Sequence, residues 1–380
     1  MKSKNSAGGE DRAPMTGQVV YVYAFDLAYD MKRQPLETIL SQPVREYTIW
    51  PSKRTPRHLF FYRPQMVDLP EVTRTGPRGE VAVQRSLKLF SVGAMSIQVR
   101  VPFRIERMED LVSYHDLTFA DGQSLADEVA ELAEQARREL EPYCIRPVQQ
   151  LTQVEAYTIF CLDSLPSKAG EPEISAEDWL VLNRRRVAGL LTQEEEPTYL
   201  SEQEAAESTG LYLSYYDSEI VVVDWDAALV VGEADALGDL LHIMELASVQ
   251  LVELEAYDRV LDASLETAYR DLAKWRPGPA NRQVRRNLGI IRVDLARLSD
   301  ELVNITKFFG DWHIARIYGQ LSHRLHLGDW HGIIDEKLKT LGDLYELLQR
   351  DRTNFWMTVL EATIVLLFIL DLIILVVMGL

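Results

Sequence analysis

Histidine titrates near neutral pH and is the commonest metal ligand, and four of the seven histidines in this chain stand close together. They are His313, His323, His326 and His331, with Asp311, Asp329 and Asp335 among them. Such a set can be drawn as a metal site, and His323 and His326, three apart, can share one helix face. The stretch has no H-E-x-x-H pattern and no cysteine partner, however. Two of the histidines also belong to a short repeat, Gly310-Asp311-Trp312-His313 and Gly328-Asp329-Trp330-His331. Two helix starts explain it more simply: Gly closes one helix, Asp caps the next, and Trp packs its first turn. No metal and no cofactor are therefore expected. The chain also lacks a phosphate-binding G-x-x-x-x-G-K-[ST], a G-x-G-x-x-G after a strand, and a G-x-S-x-G elbow. With no catalytic constellation, a non-enzymatic protein is expected.

The acids Glu361 and Asp371 matter for a different reason. They interrupt the apolar run 355–380, FWMTVLEATIVLLFILDLIILVVMGL. A helix of that length rises about 33–39 Å, enough to cross the ~30 Å hydrocarbon core of a bilayer. Phe355 and Trp356 suit an aromatic belt, and Arg350 and Arg352 outside it favour a cytoplasmic location for the preceding chain. The expectation is a single-pass C-terminal anchor in a bacterial inner membrane, with a mitochondrial inner membrane as the alternative. An ionised acid near mid-bilayer costs about 2.5–3.5 kcal/mol, so Asp371 either stays protonated or faces protein or water. With Leu348 as zero on a straight helix, Glu361 falls at about 220° and Asp371 at about 140°. The seam Ile334, Leu338, Leu341, Tyr345 and Leu348 averages about 40°. The acids thus point away from the seam, toward neighbouring protomers, a partner helix, or the axis of a cation-conducting oligomer with two acid rings. A transporter of the magnesium-channel type needs a second span and a Gly-Met-Asn loop, and this chain has neither.

The formal charge of −18 argues against nucleic acid as a partner, because phosphate contacts need a basic face. The two cysteines, Cys144 and Cys161, have no metal spacing and read as reduced, buried thiols. Residues 1–17 are polar, with neither an apolar signal core nor an Arg-rich presequence pattern, and read as a disordered tail.

From 18 to 29, QVVYVYAFDLAY is a strong strand signal. Residues 35–40 suit the start of a short helix. Residues 51–79, rich in Pro, Arg and Gly, read as an irregular excursion. Gly93-Ala94 marks a hairpin between 86–92 and 96–101. Helical spacing appears at 106–115 and 124–140. In the second, Leu125, Val129, Leu132, Ala136 and Leu140 share a face and Asp127, Glu128, Glu131 and Glu134 lie elsewhere, as on a solvated face. Strand signals follow at 154–162, 211–216 and 220–231, with an amphipathic helix at 176–191. That helix carries Arg184-Arg185-Arg186, a weak basic patch for acidic lipid or for the chain's own acids.

Near Glu233 the period changes from two to three and four. Leu237, Leu240, Met244, Ala247, Leu251 and Leu254 begin a helix of about forty residues that ends before Pro277-Gly278-Pro279. Leu288, Ile291, Leu295, Leu298, Leu302 and Ile305 then step 3-4-3-4-3, an unbroken helix-packing seam. A short helix at 316–327 follows, and one rod from about Asp329 continues to 380.

The C-terminal 120 residues resemble the "required for meiotic nuclear division" family. The resemblance rests on Trp312, Ile317-Tyr318, Leu321, Arg324-Leu325, Trp330, Lys337-Leu338, Leu344-Tyr345, and Leu360-Glu361 leading into Ile364-Val365, with Asp371 beyond. It implies an α/β domain, a helical region and a terminal anchor in a membrane-tethered, oligomer-forming protein without known catalysis. The reading as a whole is an α+β chain: a disordered tail (1–17), a mixed α/β sandwich (18–232), a stalk of long antiparallel helices (233–353) and a transmembrane anchor (354–380). Its partners would be the lipid bilayer, further copies of itself and a possible protein partner. The residues carrying this are Glu361, Asp371 and Trp356 in the anchor, with the 288–305 seam, Trp312 and Trp330 packing the helices.

Overall fold

The computed structural model describes residues 14–32, 34, 36–47, 64–76, 79–90, 92–151, 154–166, 174–232, 237–274 and 312–378. The side chains of 271–274, 345, 347–356 and 375–378 are excepted. The seam 288–305 and Asp311 lie outside the described residues.

Among the described residues the strands are β1 (Met15–Asp26), β2 (Ala28–Met31), β3 (Thr38–Ile39), β4 (Gln42–Pro43), β5 (Arg45–Glu46), β6 (Gln65–Gly76), β7 (Gly79–Leu89), β8 (Ala94–Ile105), β9 (Cys144–Pro147), β10 (Glu155–Leu162), β11 (Tyr212–Leu213), β12 (Ile220–Val223) and β13 (Ala227–Val231). The helices are α1 (Leu125–Leu140), α2 (Ala176–Leu191), α3 (Glu202–Ser208), α4 (Leu237–Lys274), α5 (Trp312–Arg324) and α6 (Leu327–Met378). Nine strands form one sheet in the order β11-β12-β13-β10-β1-β8-β7-β6-β5. Only β10 and β13 pair in parallel; every other neighbour is antiparallel. A sheet-rich N-terminal part followed by long helices, one of them apolar, is the α+β architecture expected.

The chain divides into two compact units. The first holds residues 1–253 and 301–328, and the second holds 254–300 and 329–380. The first unit thus extends past the change of period at Glu233. The first half of α4, together with α5, belongs to the sheet.

In the first unit, β1 lies mid-sheet and is buried on both faces, which explains its unbroken apolar sequence. Val19, Tyr21, Tyr23 and Phe25 point into a core shared with Leu125, Val129 and Ala136 of α1 and Trp179, Leu180 and Val187 of α2. Ser124 and Ser175 cap these helices by accepting the backbone N–H groups of Asp127 and Asp178. Glu128 on α1 is not solvated as expected. It receives Arg74 at 2.7 Å and Arg85 at 2.8 Å from the β6–β7 hairpin. The basic run on α2 meets the chain's own acids, Arg185 with Glu202 at 2.7 Å and Arg186 with Glu109 at 3.3 Å.

Four local expectations change. Residues 65–76 form the twelve-residue strand β6. Its Pro70 sits where the register with β7 shifts between Leu69 and Val72, a bulge that dispenses with a ladder N–H. Residues 38–43 form a two-strand turn, with Leu40 and Ser41 at φ 51° and 62°, the geometry of a tight hairpin and not of a helix. Residues 108–114 wind as a 3₁₀ helix. The run 220–231 breaks into β12 and β13 around Asp224-Trp225-Asp226.

In the second unit, α4 runs on to Lys274 and α6 is one continuous helix of 52 residues. Lys337 bridges Asp258 and Asp262, both at 2.6 Å, and Ile334, Leu338 and Leu341 are buried.

Candidate functional site

One group of chemistry-bearing side chains inside the first unit lies on the sheet face opposite α1 and α2. On β7 and β8 the alternation of strand side chains puts Leu87, Leu89, Met95, Ile97 and Val99 into the core. The intervening residues Ser86, Lys88, Ser96 and Gln98 face the other way and are buried too. Lys88 and Ser96 stand directly opposite each other in the ladder. Onto them falls α4, whose residues 240–254 are buried on every side although they include His242, Glu245, Ser248, Gln250 and Glu253.

Glu245 is the centre of this seam, with a side chain 0% exposed. Lys88 donates to its Oε2, and the Ser96 hydroxyl donates to its Oε1 at 2.5 Å. His242 Nδ1 stands 3.5 Å from the same Oε2. Tyr47 closes the group, its ring 4.0 Å from the Lys88 ammonium and 4.9 Å from the imidazole. Burial by itself would raise the Glu245 carboxyl; the Lys88 charge and the hydrogen bonds of His242 and Lys88 outweigh it and hold the group at about 2. Burial drives His242 the other way, below its ordinary value despite the carboxylate, so the ring is neutral at pH 7. Burial, followed by the Glu245 charge, pushes the Tyr47 hydroxyl up to about 12.

This constellation has the residue types of an active site, but its acid, base and hydroxyl are engaged with one another and sealed. A general base must reach its proton donor, and a nucleophilic serine needs a base that is not already ion-paired. The cluster bolts a helix to a sheet through a buried ion pair. Glu253, two turns further along α4, differs. One carboxyl oxygen is buried without a hydrogen-bond partner, and burial, with Asp26 nearby, holds the group protonated well above the carboxylate range.

Sequence reasoning missed this seam. The Leu, Met and Ala positions of α4 carry the helical period, and nothing in that period marks His242, Glu245 and Glu253 as buried. The one available signal was Lys88 between Leu87 and Leu89, with Ser96 and Gln98 alternating with apolar residues.

The expected helix starts place differently. Trp312 opens α5 but is 78% exposed. Trp330 is half-buried inside the first turn of α6, which begins at Leu327, ahead of Asp329. The histidines do not converge: His326 stacks on Trp225 at 5.0 Å, His313 meets Tyr215 at 5.1 Å, and the rings of His323 and His326 are 6.4 Å apart. Among the described residues no three histidine, cysteine or acidic side chains gather as metal ligands would. The thiols of Cys144 and Cys161 are buried, which pushes them up to about 11 and 12. Such thiols are unreactive.

The second candidate feature is on α6. Residues 357–374 form a helical window of mean hydropathy 2.4 with 0% of it buried. It is the one helix among the described residues long and apolar enough to cross a membrane. Glu361 and Asp371 lie within it and are exposed. Trp356 continues the same helix, its side chain outside the description.

Comparison with known proteins bears on the first unit. A curated protein of Methanocaldococcus jannaschii, "Uncharacterized protein MJ0711", is 22% identical over 222 residues, 58% of this chain and 65% of that protein. The match thus spans a little under two thirds of the archaeal protein's length. The family model described as "Uncharacterized protein MJ0711, N-terminal domain" matches residues 16–236, from the first strand to the residue before α4. By that match, which covers more than half of its length, the chain belongs to the MJ0711 N-terminal domain family.

Proposed function

We propose that this protein is a membrane-anchored scaffold, its sheet domain on the cytoplasmic side, that assembles with copies of itself through its helical stalk and anchor. The observation that carries this is the window 357–374 of α6, apolar and wholly exposed. A core helix of a soluble protein would have buried those side chains, and a bilayer satisfies both the apolar surface and the closed backbone hydrogen bonding of a helix. Arg350 and Arg352 before the window support the cytoplasmic side. Two acids within the window support assembly, because an acid at that depth is stable chiefly where it faces protein or water. The likeness of the C-terminal residues to the meiotic nuclear division family supports the same reading.

The test is the native mass of the full chain extracted from membranes. The expected result is an integral membrane complex of several copies that dissociates when Asp371 is replaced by leucine. A chain washed off membranes by alkaline carbonate sinks the anchor. A monomeric mass in mild detergent sinks the assembly. Ion flux in liposomes that is lost on neutralising Glu361 and Asp371 would replace the scaffold with a cation channel.

A further inference from the structure

Helix α5 seats Ile314, Ile317, Tyr318 and Leu321 in the first unit. Tyr318 donates to Gln250 at 2.7 Å, Gln320 to the Tyr212 carbonyl at 3.0 Å, and buried Arg324 reaches Asp224 at 3.1 Å. These contacts fix which way the opposite face looks. That face carries Trp312, Arg316, Gly319 and His323, with His326 in the turn beyond, all exposed. Steps of four and three keep them in one stripe. Beside the stripe stand Tyr215 (60% exposed), Tyr216 (62%) and Trp225 (51%). These rings are not loose. Tyr215 sets its ring against Tyr216 at 4.8 Å and against His313, and Trp225 stacks on His326.

Isolated exposed apolar residues are ordinary, but grouped aromatics with an arginine have the composition of interface hot spots. Rings already packed on one another lose little further freedom on binding. Charge selects the occupant. Two chains of formal charge −18 repel over most of their surfaces, and approach is least costly where no acid opposes another. Residues 312–328 contain no Asp or Glu. A single exposed arginine on this face is too little for a nucleic-acid backbone.

We propose that this face is a docking surface for a second copy of the chain, α5 against α5, crossing at Gly319. This rests on the self-assembly reading above and adds a contact distinct from the stalk and the anchor. A Cβ built at Gly319 meets nothing within 4 Å, so the backbone there is open to close approach. Trp312 and His326 lie seven residues to either side of Gly319. An antiparallel two-fold crossing at Gly319 therefore brings Trp312 of one copy onto the Trp225–His326 stack of the other, and the reverse.

The experiment uses the full chain in proteoliposomes with Gly319→Cys. Cys144 and Cys161 are buried, so the introduced thiol is the reactive one. Mild oxidation with copper phenanthroline is expected to give a disulfide-linked dimer, and Glu131→Cys on exposed α1 is expected to give none. Adding Trp312→Ala or Arg316→Glu to the Gly319→Cys chain should slow cross-linking at least about tenfold, as for loss of a hot spot. Both side chains are exposed, and an unchanged circular dichroism spectrum confirms folding. If the native mass shows an oligomer but the Gly319→Cys chain does not cross-link, or the second changes have no effect, the α5 contact is overturned and the assembly reading stands. A monomeric mass overturns both. Quenching of a fluorophore on the introduced thiol by spin-labelled lipid would identify the bilayer as the occupant and likewise overturn the contact.

Discussion

At the scale of single residues, Glu245 shows how a buried charge is tolerated. A carboxylate with no exposure is retained because a lysine, a serine and a histidine all face it. Removing one partner leaves the other charge stranded. Lys88→Met is therefore expected to cost about 3–5 kcal/mol in urea unfolding, while Lys88→Met with Glu245→Leu recovers most of that loss. The same residues set the acid limb of stability. His242 and His115 are held below their ordinary values by burial, so the unfolded chain binds protons first as pH falls through about 6.5. Glu245, depressed to about 2, adds stability that is present above the unfolded carboxylate value and lost from about pH 4.5 down to 2. The melting temperature should thus fall in two stages on acidification, and Glu245→Gln should remove the lower stage. Glu253 has the opposite sign. Its raised value means the folded state holds a proton that the unfolded state gives up, so it costs stability as pH rises above the carboxylate range. Glu253→Gln should raise the melting temperature at pH 8 and leave it unchanged at pH 4.

At the scale of elements, the β7–β8 hairpin and α4 show what local pattern can reveal. Gly93 was legible as a turn residue, but its second duty was not. Its carbonyl accepts the N–H groups of Leu27 and Ala28 at 3.0 and 2.9 Å, pinning the corner between β1 and β2. At φ 100°, with the Ala28 carbonyl in the way of any Cβ, only glycine fits. Gly93→Ala is expected to destabilise by at least about 2 kcal/mol in thermal or urea melts. Strand β6 was hidden because Pro and charged residues obscure its alternation; pairing with β7 and the Arg74 and Arg85 contacts to Glu128 make it a strand. The length of α4 was legible from its apolar period. That its first half belongs to the sheet depends on Lys88 and Ser96, some 150 residues earlier, and no local period encodes such a pairing.

At the scale of the whole molecule, the family match closes at residue 236 and α4 opens at Leu237. The part of this chain that the family model matches therefore holds the sheet and its covering helices α1–α3. Helices α4 and α6 then run from the first compact unit on into the second. A bilayer is the solvent that suits the far part of α6. Deleting residues 355–380 should move the protein from the membrane pellet to the supernatant without changing the near-ultraviolet circular dichroism of the sheet domain.

The sequence by itself determined the features that depend on near neighbours: the strands of the sheet centre, the long helices, and an apolar span with two acids. These follow from periodicity and composition, which act over a few residues. The tertiary structure alone decided the order of the nine strands and the partners of Lys88, Glu245 and Glu128. It alone decided that Trp312 faces outward while Glu253 is buried. Burial and pairing are properties of what the fold brings together across long separations, and a carboxylate has the same local sequence pattern whether water or a lysine meets it.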